Sequence, residues 1–126
     1  MAYVGETEVR IVRAEPLEPT VVLRDEDRAD GSRLRLWAYL DTAGQLHIDG
    51  QDLGPVTSPV SADGEVESFR ILPPENIQRL VELLGGVPGD GILDILAGSW
   101  TGERSYELER ILREGPVAVV FATWTG

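Results

Sequence analysis

Cysteine and lysine are both missing from this 126-residue chain, and histidine occurs once. Without cysteine there is no disulfide framework, no thiolate nucleophile and no cysteine-ligated zinc. Long apolar runs are missing as well, since none approaches the roughly 18 residues that a membrane-spanning helix needs. The start, Met1-Ala2-Tyr3-Val4-Gly5-Glu6, has neither the basic stretch nor the apolar segment of a secretory signal, so a cytoplasmic location is expected. Positive charge is scarce. Eleven arginines face twenty-two acids for a net charge of −11, a field that repels nucleic-acid phosphates and anionic membranes. The excess is spread along the chain: residues 1–30 carry −4, residues 31–70 carry −3 and residues 71–126 carry −4. There is no acidic tail, and the charge serves solubility or attraction to a basic partner protein.

What remains is ordinary globular material. Apolar residues make up 42% and charged residues 26%, with glycine and proline interspersed, which excludes collagen, coiled coil and disorder. A chain of this length buries roughly 67% of its unfolded surface, enough for one core, so residues 1–126 are expected to form a single domain without internal repeats.

Periodicity divides the chain into strands first and helices later. Val9 and Ile11 alternate with charged neighbours over residues 7–14, and Thr20-Val21-Val22-Leu23 follows Pro16 and Pro19 as a second short strand. The run Arg24-Asp25-Glu26-Asp27-Arg28-Ala29-Asp30-Gly31-Ser32 has no apolar anchor beyond alanine and reads as an exposed loop. Leu34, Leu36, Ala38 and Leu40 alternate with Arg33, Arg35, Trp37 and Tyr39, and Leu46 and Ile48 alternate with Gln45, His47 and Asp49. Thr42-Ala43-Gly44 fits a three-residue hairpin loop with glycine in the left-handed position. That register sets Leu40 opposite Leu46 and Ala38 opposite Ile48 on one face, with Tyr39 opposite His47 and Trp37 opposite Asp49 on the other. Asp49-Gly50 and Asp63-Gly64 read as turns, flanking strands at Val56–Val60 and Glu65–Ile71. Pro55 and Pro59 make the first of these an edge strand or a loop.

Three helices follow. Pro74 suits a first helical position, and Ile77, Leu80, Val81 and Leu84 form a stripe that Gly85 ends. Asp90 is positioned to cap a helix over Ile92–Ser99. Ser105 is positioned to cap another, with Leu108, Ile111 and Leu112 inward, Glu109 and Arg113 paired, and Gly115-Pro116 as the stop. Val117 to Trp124 is apolar on both alternate faces, the mark of a central strand or of one pairing with the same strand of a second subunit in a homo-oligomer. The expected fold is α+β: an antiparallel or mixed sheet of N-terminal strands with a central C-terminal strand, packed against about three short helices.

The phrases Leu40-Asp41-Thr42-Ala43-Gly44-Gln45-Leu46, Gly50-Gln51-Asp52-Leu53-Gly54, Ser105-Tyr106-Glu107-Leu108-Glu109-Arg110 and Thr123-Trp124-Thr125-Gly126 resemble an uncharacterised family of small acidic proteins from high-GC bacteria. The resemblance spans about three quarters of the chain, from Arg33 onward. It implies no activity, cofactor or catalytic residue.

Motifs with chemistry are few. His47 and Asp49 share a strand face, and Asp52 could join them across a turn, but three donors with one histidine make a poor zinc set. The run from Asp25 to Gly31 looks like a calcium loop, yet Ala29 and Leu36 stand where that loop needs an acid and a bidentate glutamate. Gly85-Gly86-Val87-Pro88-Gly89-Asp90-Gly91 lacks the residues of a phosphate cradle and serves as a helix connector. No catalytic residue, metal or cofactor is expected. The binding candidates are Arg33, Arg35, Trp37, Tyr39, His47 and Asp49, which line one hairpin face and include the residue types enriched in interface hot spots. The competing reading of Trp37 and Tyr39 is a second small core under loops or the first helix. The function expected from these features is that of a non-catalytic, acidic protein-binding module, such as an inhibitor or immunity-type neutraliser of a basic partner. The alternative is a small-molecule-binding or metal-assisted enzyme domain centred on His47 and Asp49.

Overall fold

Turn chemistry at Asp41–Gln45 organises the centre of the sheet. Asp41 Oδ1 accepts the N–H groups of Ala43 at 2.8 Å and Gln45 at 3.0 Å, and the Gly44 N–H donates to the Asp41 carbonyl. Gly44 has φ 82°, the left-handed conformation that a three-residue loop requires. The computed structural model, which describes residues 16–59 and 64–125, builds outward from this hairpin. Its elements are β1 (Pro16–Asp27), β2 (Arg33–Asp41), β3 (Leu46–Leu53), a 3₁₀ turn (Pro55–Thr57), β4 (Glu65–Leu72), α1 (Pro74–Leu83), α2 (Ile92–Ser99), α3 (Arg104–Glu114) and β5 (Val120–Thr125). The five strands form one antiparallel sheet in the order β1-β2-β3-β4-β5. The fold is α+β, and no helix among the described residues is long and apolar enough to cross a membrane.

The β2–β3 register is the one that the apolar pattern demands: Leu40 pairs with Leu46, Ala38 with Ile48, Tyr39 with His47 and Trp37 with Asp49. Leu36, Ala38, Leu46, Ile48 and Leu72 then share the face against which the helices pack. They cluster with Leu80 and Val81 of α1, Ile92, Leu93 and Leu96 of α2, Trp100 just after α2, Leu108 and Leu112 of α3, and Val117. Each fully buried leucine contributes roughly 1.5–3 kcal/mol relative to exposure. All three helices lie where the 3.6-residue period places them. Gly85, at φ 94°, closes α1 while the Gly86 N–H bonds back to the Val81 carbonyl.

Several expectations need correction. The strand proposed at residues 7–14 lies outside the described residues. Residues 24–27 are the end of β1 rather than loop, because each charge meets a partner: Arg35 approaches Asp25, Tyr106 binds Glu26, and Arg33 binds Asp27. Asp49-Gly50 is no turn. Gly50 sits inside β3, where a Cβ would come within 2.6 Å of Ser68 Oγ and 3.3 Å of the Arg35 carbonyl. Of the edge strand and the loop offered for residues 56–60, the loop holds over the described part, which carries a 3₁₀ turn at Pro55–Thr57; residue 60 lies outside the described residues. Neither proposed cap forms: Asp90 accepts the Val87 N–H, and Ser105 lies inside α3, donating to the Gly102 carbonyl. Glu109 pairs with Arg24 and Arg70 while Arg113 pairs with Glu114.

The largest correction concerns β5. It is an edge strand bonded to β4, from Ile71↔Val120 to Val66↔Thr125, and no other described strand lies beside it. Its apolar side chains are only partly covered: Ala122 is buried, whereas Val120 is 39% and Phe121 50% exposed. An up-and-down order of strands leaves the last one outermost, whatever its composition.

Candidate functional site

On the sheet face opposite the helices, the hairpin brings Tyr39 and His47 together as a cross-strand pair. Their rings stack with centroids 4.7 Å apart and planes 5° from parallel. His47 Nε2 lies 2.7 Å from Asp41 Oδ2, and the Tyr39 hydroxyl donates to Asp49 Oδ2 at 3.2 Å. All four side chains are buried, with Asp49 only 1% exposed. Burial is the strongest influence on Asp41 and pushes its pKa up, but the His47, Gln45 and Ala43 hydrogen bonds together outweigh it and hold the carboxyl below the usual range. The turn that sets the hairpin register and the partner that orients His47 are therefore the same carboxylate.

The six candidate residues thus divide. Tyr39, His47 and Asp49 belong to this buried polar cluster. Arg33 is exposed, with Nε 3.0 Å from Asp27, and Arg35 is half-exposed, with Nε 3.4 Å from Asp25. Trp37 is half-buried and lines a cleft of about 320 Å³ with Thr20, Val22, Arg24, Asp25, Arg35 and Leu36. Val22, opposite Trp37 in the β1–β2 register, is 60% exposed. Asp52 does not join His47 and Asp49, because three positions along an unbroken strand place it on the other face. Among the described residues no three His, Cys, Asp or Glu side chains are placed to hold a metal ion.

A second polar cluster, on the helix side, was not apparent from the sequence. Arg24 is 7% exposed, donates from Nε to Ser105 Oγ at 2.9 Å and from Nη2 to Glu109 Oε1 at 2.7 Å, and lies 3.6 Å over the Tyr106 ring. Arg70 reaches Glu109 Oε2 at 3.1 Å, so one carboxylate ties β1 and β4 to α3. Burial lowers the Arg70 pKa, opposed by the charge of Glu109. Tyr106 donates to Glu26 and accepts from Arg28; burial and the Glu26 hydrogen bond raise its pKa. Arg24 points inward because of a register shift between Val22 and Arg24, which also turns Leu23 into the core. One sequence signal was present: Arg70 shares a strand face with Ser68 and Leu72, the core-facing side, and a charge there needs a partner.

In both clusters the charges are engaged by neighbouring protein groups. The accessible candidate is the Val22–Trp37 cleft, where an apolar centre is bordered by the Asp25–Arg35 pair. Neither a family model, nor a curated protein, nor a solved structure matches the chain.

Proposed function

We propose that this protein is a non-catalytic, acidic binding module that neutralises a basic partner protein, in the manner of an inhibitor or immunity protein. The observation that carries the reading is the cleft formed by β1 and β2, in which half-buried Trp37 and 60%-exposed Val22 make an apolar centre. Asp25 and Asp27 beside it have side chains 60% and 72% exposed. A half-buried aromatic inside a charged rim matches the anatomy of an interface hot spot. The net charge of −11 adds long-range attraction for a basic surface, which acts mainly on association rate. Membership of the bacterial family whose motifs the chain resembles, and a cytoplasmic location, belong to the same proposal. They are supported by the motif phrases and by a composition without cysteine.

The test is capture of basic proteins on the immobilised chain, repeated with Trp37→Ala, Val22→Asp and the charge reversal Asp25→Arg, together with a thermal-shift panel of metals and metabolites. A partner should bind the parent in a salt-sensitive way and each variant at least about tenfold more weakly, a loss of about 1.4 kcal/mol. Trp37→Ala should cost less stability than the about 3–5 kcal/mol of a fully buried aromatic. A partner held equally by all three variants would overturn the proposal. So would a metal or metabolite that stabilises the parent and loses its effect in His47→Gln, which would move the function to the His47 cluster.

A further inference from the structure

Among the described strands, the two outermost differ in character. β1 is protected against pairing: it carries Arg24, Asp25, Glu26 and Asp27 in succession, and two register shifts interrupt its ladder. β5, Val120-Phe121-Ala122-Thr123-Trp124-Thr125, has no charge, no proline and an unbroken register with β4 over all six of its residues. Phe121 is 50% and Val120 39% exposed. On the helix side of this edge, Phe121 and Val119 border a groove of about 260 Å³ with Arg70, Leu112 and Arg113. An uncharged, apolar edge with an unbroken register is a template for strand addition.

We infer that β5 pairs antiparallel with β5 of a second copy of this chain, joining two five-stranded sheets into one. Charge selects this occupant. Two molecules of net charge −11 repel each other over most approaches, and a seam of six uncharged residues is one along which they meet without setting carboxylates against each other. Full-length antiparallel pairing through β1 would set its acidic end, residues 25–27, opposite residues 16–18, with Asp25 against Glu18 and with Pro16 and Pro19 lacking the N–H a ladder needs. Geometry agrees, because an antiparallel strand paired with its own copy is related by a two-fold axis and closes as a dimer, whereas β5 on β1 of another copy is a head-to-tail contact that leaves a free β5 and a free β1 on every pair, to be closed only in a ring or left open in a filament. The seam is about 20 Å long, from six residues at about 3.4 Å each. That is at the small end of specific interfaces, so the dimer should dissociate in the micromolar range or above. This surface is separate from the β1–β2 cleft, and dimerisation neither requires the proposed partner nor excludes it.

The test is sedimentation equilibrium of the full chain from about 1 µM to about 1 mM, the range over which a weak interface fills, with hydrogen exchange recorded at the same concentrations. The mass should rise from 13.8 kDa toward twice that value, and protection of the Val120–Thr125 amides should rise in parallel. Phe121→Asp should stay monomeric with a cooperative thermal transition, while Val87→Asp, at another exposed apolar residue, should dimerise like the parent. A monomer throughout, a dimer that survives Phe121→Asp, or protection that grows only away from β5 would overturn the inference. If Phe121→Asp does not fold, the exchange pattern of the parent decides alone.

Discussion

Two aspartates show how a single side chain sets the pH response. Asp52 is half-buried near Arg24 and Glu109. Burial raises its pKa, the positive charge of Arg24 opposes the rise, and the negative charge of Glu109 adds to it. A carboxyl whose folded pKa lies above its unfolded value of about 3.9 takes stability away as pH rises through that interval. Asp52→Asn should therefore be more stable than the parent at pH 7, with the two converging below about pH 4. Urea midpoints measured across this range check the point, and a less stable Asp52→Asn at pH 7 would mean that the attraction to Arg24 dominates. Asp41 has the opposite sign. Its depressed folded pKa gives stability that is present above the unfolded pKa and is lost as pH falls through the folded one.

At the scale of elements, the β2–β3 hairpin was the most legible part of the chain, because its register depends on three loop residues and two short alternating runs. Gly44 makes that dependence testable. At φ 82° an L-residue costs about 1–2 kcal/mol, while a Cβ would stand 3.4 Å from Pro74 Cγ, close to ordinary contact. Gly44→Ala should lose about 1–2 kcal/mol in chemical denaturation, and Gly44→Asn should lose less because asparagine tolerates the left-handed region. An alanine variant as stable as the parent would show that the loop does not hold the register. β5 was less legible. Its composition suits a covered strand, and only the connection through three helices leaves it outermost.

For the whole molecule, the excess of carboxylates sets the dominant long-range field. The ion pairs of Glu109 with Arg24 and Arg70 are largely shielded from solvent, whereas the pairs of Arg33, Arg104 and Arg113 are exposed. Salt screens the exposed charges and self-repulsion much more than the buried pairs. Raising sodium chloride from about 0.01 M to about 1 M shortens the Debye length from about 30 Å to about 3 Å, so the melting temperature should rise. Differential scanning calorimetry measures it, and a fall would mean that surface ion pairs outweigh the repulsion of the −11 charge.

By itself the sequence determined the class of the fold, the hairpin register and the extents of the three helices, because period, turn residues and helix stops act over a few neighbouring positions. The tertiary structure decided what depends on distant contacts. It chose which candidate residues are reachable, burying Tyr39, His47 and Asp49 while leaving Arg33, Arg35 and Trp37 at least partly accessible. A register shift in β1 turned Arg24 inward, toward Glu109 eighty-five positions away. The order of the strands placed β5 at an edge of the described sheet. Side-chain alternation says which residues share a face; what covers that face, and which strand lies alongside, is set by chain segments remote in sequence.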